Sequence, residues 1–197
     1  MIAFHIFGRP VYRYGIMYLI GFVVGRLFLE YVTKHRLIEK VSPTLQTILT
    51  DNVDTLMTYI IIGGILGGRL GEVLIYEPHY YRTHPNQILA TRNGGMSFIG
   101  GIIGALIAVT IFLHLHKSKK SDFLTLTDLL AVIAPFGIAL GRIGNRLNRE
   151  LYGPVIESTH HLYPLLQKLH LLYDYGTTEL FQNELRLNTN FLASFGE

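Results

Sequence analysis

Four apolar runs, each close to 20 residues long, fill most of the first 143 positions, at roughly 12–32, 55–76, 94–114 and 123–143. A helix of about 20 residues rises about 30 Å, the thickness of a bilayer's hydrocarbon core. A soluble domain can hide one such helix at its centre, but four in so short a stretch leave too little polar chain to cover them. Only 16% of the chain is charged, against about 25% in an ordinary soluble domain. The expectation is an all-α integral membrane protein, with about four transmembrane helices in residues 1–143 and an external head segment in 144–197. Cysteine is absent, which excludes a disulfide framework and any thiol nucleophile or thiolate metal site of the chain's own. No basic tail or low-complexity block points to nucleic acid.

Loop charges orient the spans. Loop 33–54 holds Lys34, Arg36 and Lys40, and loop 115–122 holds Lys117, Lys119 and Lys120, while loop 77–93 carries only Arg82 and Arg92. The positive-inside rule places the two lysine-bearing loops in the cytoplasm. The amino terminus, loop 77–93 and the head are then expected on the outer side, although Arg9 and Arg13 pull mildly the other way. The chain stops at SFGE within an apolar patch, so a longer parent chain is expected.

Spans two and three are rich in glycine. The pairs Gly63/Gly67, Gly64/Gly68, Gly67/Gly71 and Gly100/Gly104 are spaced by four, which lets helix backbones approach closely in lipid. A second reading is compatible with the first. The run GGMSFIGG, with Gly94, Gly95, Ser97, Gly100 and Gly101 at the outer start of span three, can offer main-chain N–H groups to an anion.

Charge inside a span is costly, about 2.5–3.5 kcal/mol at the centre of a helix. Arg26, Arg69, Glu72 and Arg142 all fall within or at the end of spans. Arg69 and Glu72 are three apart, the spacing of a local ion pair. In GRIGNRLNRELYG, residues 141–153, the side chains of Arg142, Asn145, Arg146 and Arg149 recur at steps of three and four, with Asn148 beside them and Glu150 and Gly153 following. If the helix continues, they share one polar face at headgroup depth. A guanidinium stays charged and presents a fixed fork of donors that suits a phosphate. Arg146 and Arg149 read as snorkelling helix-end arginines, and Arg142, flanked by Gly141 and Gly144, as the phosphate ligand.

These stretches resemble a known family. GGRLGEVLIY, GGMSFIGGIIGAL, DLLAVIAPFGIALGRIGNRLNRELYG and the opening YGIMYLIGF look like bacterial prolipoprotein diacylglyceryl transferases, in the same order, over about residues 1–155. The resemblance implies a polytopic enzyme of the bacterial inner membrane. It would move the diacylglyceryl group of phosphatidylglycerol onto the lipobox cysteine of a prolipoprotein, forming a thioether and releasing glycerol phosphate. The nucleophilic sulfur then belongs to the substrate, and no metal or soluble cofactor is implied. Carried over by position, Arg142 would grip the phosphate while Asn145 and Asn148 add hydrogen bonds. Glu150 would orient the arginine or the glycerol, and Gly153 would shape the turn. Tyr14 and Arg69 would contact the lipid head, with Tyr14 equally suited to anchoring at the interface.

The chain also departs from the family. A histidine, generally thought catalytic, belongs in the third-span motif where this sequence has Ile99, and isoleucine can neither accept a proton nor hydrogen-bond. His79, His84, His160 and His161 are the candidate substitutes. Arg146 and Arg149 stand where an aromatic and a small residue are usual, and the family has further spans after the head. A transferase is therefore the leading expectation. A catalytically inactive paralogue that binds anionic phospholipid is the alternative, and a small channel or transporter subunit the third.

Overall fold

The structure is a computed structural model that describes residues 2–6, 9–90, 95–148, 153–174 and 185–196. It is mostly helical. Four helices are long and apolar enough to cross a membrane: Gly15–Lys34, Pro43–Tyr76, Phe98–Leu115 and Lys120–Asn148. They match the four expected spans. By packing, the chain divides into two compact units, residues 25–131 and residues 1–24 with 132–197. The boundary drawn from the sequence at 143/144, between spans and head, is a different division.

The 25–131 unit holds the last part of α1 (Arg13–Lys34), all of α2 (Pro43–Gly71), α3 (Pro78–Thr83) and α4 (Phe98–Leu115), and the first part of α5 (Lys120–Asn148). Helix α2 begins early, inside the stretch 33–54 read as a loop. Ser42 is its N-cap, its Oγ accepting from the Leu45 amide at 3.1 Å, and Pro43 opens the first turn. Both are ordinary helix-start chemistry. The helix breaks direction at Asn52, whose φ of −132° and ψ of 23° are non-helical. There the Asn52 Nδ2 donates to the Ile48 carbonyl at 3.0 Å. Leu45 and Leu49 of this first segment are fully buried with Leu29, Leu56, Phe112 and Leu126, so the core lies toward the lysine-bearing ends of the helices.

That end is tied together by Asp122, which is 1% exposed. Its Oδ1 accepts from Ser42 Oγ at 2.6 Å, and its Oδ2 accepts from Ser118 Oγ at 2.6 Å and the Lys119 amide at 3.1 Å. One carboxylate thus joins the cap of α2 to the loop before α5. Arg26, charged within span one, is also matched. Its guanidinium donates to Asp54 Oδ1 at 2.6 Å and to Glu30 Oε2 at 2.7 Å.

Helices α2 and α4 cross on their glycines. A Cβ at Gly63 would lie 2.5 Å from the Ala108 Cβ and 2.6 Å from the Gly104 carbonyl, and one at Gly67 would lie 2.6 Å from the Gly104 Cα. The backbones touch, as small residues at fourfold spacing allow. The row that meshes is Gly63, Gly67 and Gly71 against Gly100 and Gly104. A Cβ at Gly64, one position round the helix, would lie 3.9 Å from the Gly101 carbonyl oxygen.

In the other unit, β1 (Ile2–Ile6) and β2 (Arg9–Tyr12) form an antiparallel hairpin before α1, which the sequence reading did not anticipate. The head holds α6 (Tyr163–Lys168), β3 (Leu172–Asp174), β4 (Leu185–Leu187) and α7 (Thr189–Gly196). Strand β4 pairs with β3 on one side and is bridged to Val155 on the other.

Candidate functional site

The expected site residues fall in both units, and each group is described on its own. In the 25–131 unit, α2 gives way after Gly71 to a π-helical turn, Glu72–Tyr76, followed by the short α3 and a 3-10 turn at Pro85–Gln87. Single π turns inside longer helices recur at functional sites. Arg69, one turn before it, is 6% exposed. Its Nε donates to the Ile88 carbonyl at 2.6 Å, one Nη to the Gly95 carbonyl at 2.8 Å and the other to the Gln87 carbonyl. The guanidinium carbon stands 5.0 Å from the centre of the Tyr81 ring, a cation–π distance. Among the ion pairs of the described residues, the local Arg69–Glu72 pair expected from spacing does not occur. The reason is non-local: the chain after α3 folds back and brings three carbonyls to the fork, a geometry a guanidinium satisfies better than a single carboxylate three residues on.

These groups border a cavity of about 380 Å³ lined by Arg69, Glu72, Glu77, Tyr80, Tyr81, Gln87 and Gly95. Gly95 has φ +75°, a conformation that favours glycine, and its missing side chain makes room for Glu72: a Cβ there would lie 2.9 Å from the Glu72 Oε1. Ser97, buried at 4% exposure, caps α4 by accepting from the Gly100 amide at 3.0 Å. The Ser97 amide donates to the Gly68 carbonyl at 2.9 Å, and the Gly101 amide donates to the Ser97 carbonyl at 2.9 Å. The amides of residues 97, 100 and 101 are thus already hydrogen-bonded within the protein. Gly100 serves the helix crossing, whereas a Cβ at Gly101 would meet α2 only at ordinary contact distance, 3.5 Å from the Gly64 carbonyl. Ile99 is 57% exposed.

In the other unit, α5 continues to Asn148, so Arg142, Asn145 and Arg146 do recur along one helix. Arg142, Asn145 and Asn148 are partly buried. Gly153, just beyond, is buried with its backbone against β4. A Cβ there would meet the Leu187 carbonyl and lie 2.9 Å from the Thr189 Cγ2, and its own carbonyl accepts from Arg186 Nη1 at 3.2 Å. Gly153 thus serves as the close-packed joint between α5 and the head sheet. Tyr14 lies in the first turn of α1. Gly94 and Glu150 lie outside the described residues, as does the side chain of Tyr14. Of the candidate histidines, His79 and His84 are exposed, the latter stacked on Tyr80 at 4.5 Å, and His160 stacks on His161 at 4.5 Å.

Comparison with known proteins agrees with the resemblance and extends it. The family described as prolipoprotein diacylglyceryl transferase matches residues 1–191. The chain belongs to this family. It is similar to the phosphatidylglycerol–prolipoprotein diacylglyceryl transferase of Rickettsia canadensis, 42% identical over 146 residues, covering 74% of this chain and 52% of the relative. The Rickettsia bellii protein of the same name is 42% identical over 158 residues, 80% of this chain and 56% of the relative. The Rickettsia felis protein is 40% identical over 158 residues, 80% and 57% respectively. The chain therefore spans about half the length of the curated relatives it matches. The family match also runs through the head, past residue 155 where the sequence resemblance stopped.

Sequence reasoning saw Glu72 only as a partner for Arg69. It missed the lining by Tyr80, Tyr81, Glu77 and Gln87. The signal available was a carboxylate within an apolar span, followed by a Glu-Pro start to a short aromatic helix.

Proposed function

We propose that this chain carries out its family's transfer, moving the diacylglyceryl group of phosphatidylglycerol to the lipobox cysteine thiol of a prolipoprotein to form a thioether. The observation that carries the reading is the family match over residues 1–191. In this reading Arg142 holds the phosphate at the polar end of α5, Asn145 and Asn148 add hydrogen bonds, Glu150 orients the arginine or the glycerol, and Tyr14 contacts the lipid head. Such charge placement lowers the barrier by stabilising the departing phosphate. Arg69 acts through the main chain, holding the turn at 87–88 and Gly95 in place. The protein would sit in the bacterial inner membrane, with its amino terminus and residues 144–197 on the periplasmic side, as the lysine-bearing loops favour.

The test is transfer itself. Purified protein in phosphatidylglycerol-containing vesicles is mixed with a lipobox peptide, and mass spectrometry follows the cysteine. A diacylglyceryl adduct that disappears with Arg142→Ala supports the reading. A second reading, an inactive paralogue that binds anionic phospholipid, is favoured by one observation, the exposed Ile99 where the family has a histidine. Under it no adduct forms, while phosphatidylglycerol binding persists and depends on Arg142.

A further inference from the structure

A carboxylate within a membrane-length helix is costly to keep and marks a candidate functional group. Glu72 is such a group, partly buried, at the first position of the π-helical turn. Among the described residues its side chain makes no hydrogen bond and no ion pair, although Arg69 lies one turn away with donors committed to main-chain carbonyls. Its carboxylate opens onto the 380 Å³ cavity and packs directly on Gly95, within the GGMSFIGG segment. Four residues further along that segment, in the first turn of α4, is Ile99, where a proton-accepting histidine is missing. Arg69, Glu77, Tyr80 and Tyr81 are the titratable groups facing the same cavity.

We propose that Glu72 takes the proton from the substrate thiol in this chain, in place of the side chain that Ile99 cannot provide. The inference rests on the transferase reading above. The reactive form of a thiol is the thiolate, so the S–H proton has to leave as the sulfur attacks. It passes to the Glu72 carboxylate while the new S–C bond forms at the diacylglyceryl carbon. The old C–O bond breaks, its electron pair departing with the glycerol phosphate. That phosphate then takes the proton from Glu72, leaving thioether, glycerol monophosphate and a regenerated carboxylate.

The experiment compares wild type, Glu72→Gln, Ile99→His and the double variant in the vesicle assay over a range of pH. Glutamine keeps the shape and removes the base. It is expected to lower kcat by about 100-fold or more, the low end of a general base's contribution, with KM for phosphatidylglycerol little changed. Ile99→His in the Glu72→Gln background is expected to recover at least about tenfold of that loss. Its acidic limb should move up toward the imidazole range near about 6.5. A Glu72→Gln rate within a fewfold of wild type overturns the proposal. So does a loss that Ile99→His leaves unrepaired, which would mark Glu72 as structural. Activity gained only when Ile99→His is present keeps the transferase reading and overturns the role of Glu72. Inactivity of all four chains overturns both.

Discussion

Replacing Gly67 by alanine is the sharpest test of the helix crossing. The new methyl would press against the Gly100 carbonyl oxygen, its nearest neighbour, and sit 2.6 Å from the Gly104 Cα and 2.9 Å from its amide nitrogen. Ordinary contact begins near 3.4 Å, so clearing the Gly104 Cα alone requires the helices to part by about 0.8 Å, and main-chain atoms cannot rotate aside as a side chain could. A gap of that size forfeits a quarter to a half of each dispersion contact along the seam. Overpacking of this kind costs about 1–3 kcal/mol, against which alanine regains about 1 kcal/mol of helix propensity. Gly64→Ala is the internal control. It gains the same propensity, and the nearest atom to its methyl is the Gly101 carbonyl at 3.9 Å. Propensity cancels between the two variants, leaving a difference of about 1–3 kcal/mol that belongs to the crossing alone. Reversible unfolding in mixed micelles, followed by circular dichroism, reads this difference as a shift of midpoint. Equal midpoints, or a Gly67→Ala variant more stable than Gly64→Ala, would refute the backbone-contact argument.

Three further outcomes are expected. Asp122→Ala removes the shared acceptor of Ser42, Ser118 and the Lys119 amide and should destabilise by about 2–4 kcal/mol; in a double-mutant cycle, Ser42→Ala should cost far less on that background than alone. Arg69→Lys replaces a fork with a point charge and cannot serve the Gln87, Ile88 and Gly95 carbonyls together, so amide exchange across residues 87–90 should accelerate by tenfold or more, for a loss of about 1.5–3 kcal/mol. Gly153→Ala pushes a methyl into the Leu187 carbonyl and should loosen the head by about 1–3 kcal/mol, seen as faster proteolysis within residues 153–187 while the α2–α4 crossing is unaffected.

The four membrane-length helices were legible because hydropathy over about 20 residues is a local quantity. The glycine seam was legible as a pattern, but which glycines mesh was not. Gly64 and Gly67 look equivalent in sequence and differ only by the rotation of α2 toward α4. The early start of α2 carried its own signal in Ser42-Pro43, overshadowed by the polar composition of the following residues. Arg69 was singled out correctly as a costly buried charge, yet its partners are carbonyls 18, 19 and 26 residues away, which no spacing rule reaches. Asp122 was missed for the same reason: its serine partner Ser42 lies 80 positions earlier.

The Asp122 clamp has a consequence for how the chain tolerates length change. Surface connections ordinarily absorb inserted residues at small entropic cost, because their ends are free to settle. Here the segments 35–42 and 116–119 end on the same buried carboxylate, so neither has slack. An inserted residue in either would have to lift a serine off Asp122 and leave a charge without its donors. The links from α1 to α2 and from α4 to α5 are, in effect, rulers, and their lengths are set by chemistry rather than by the distance they span.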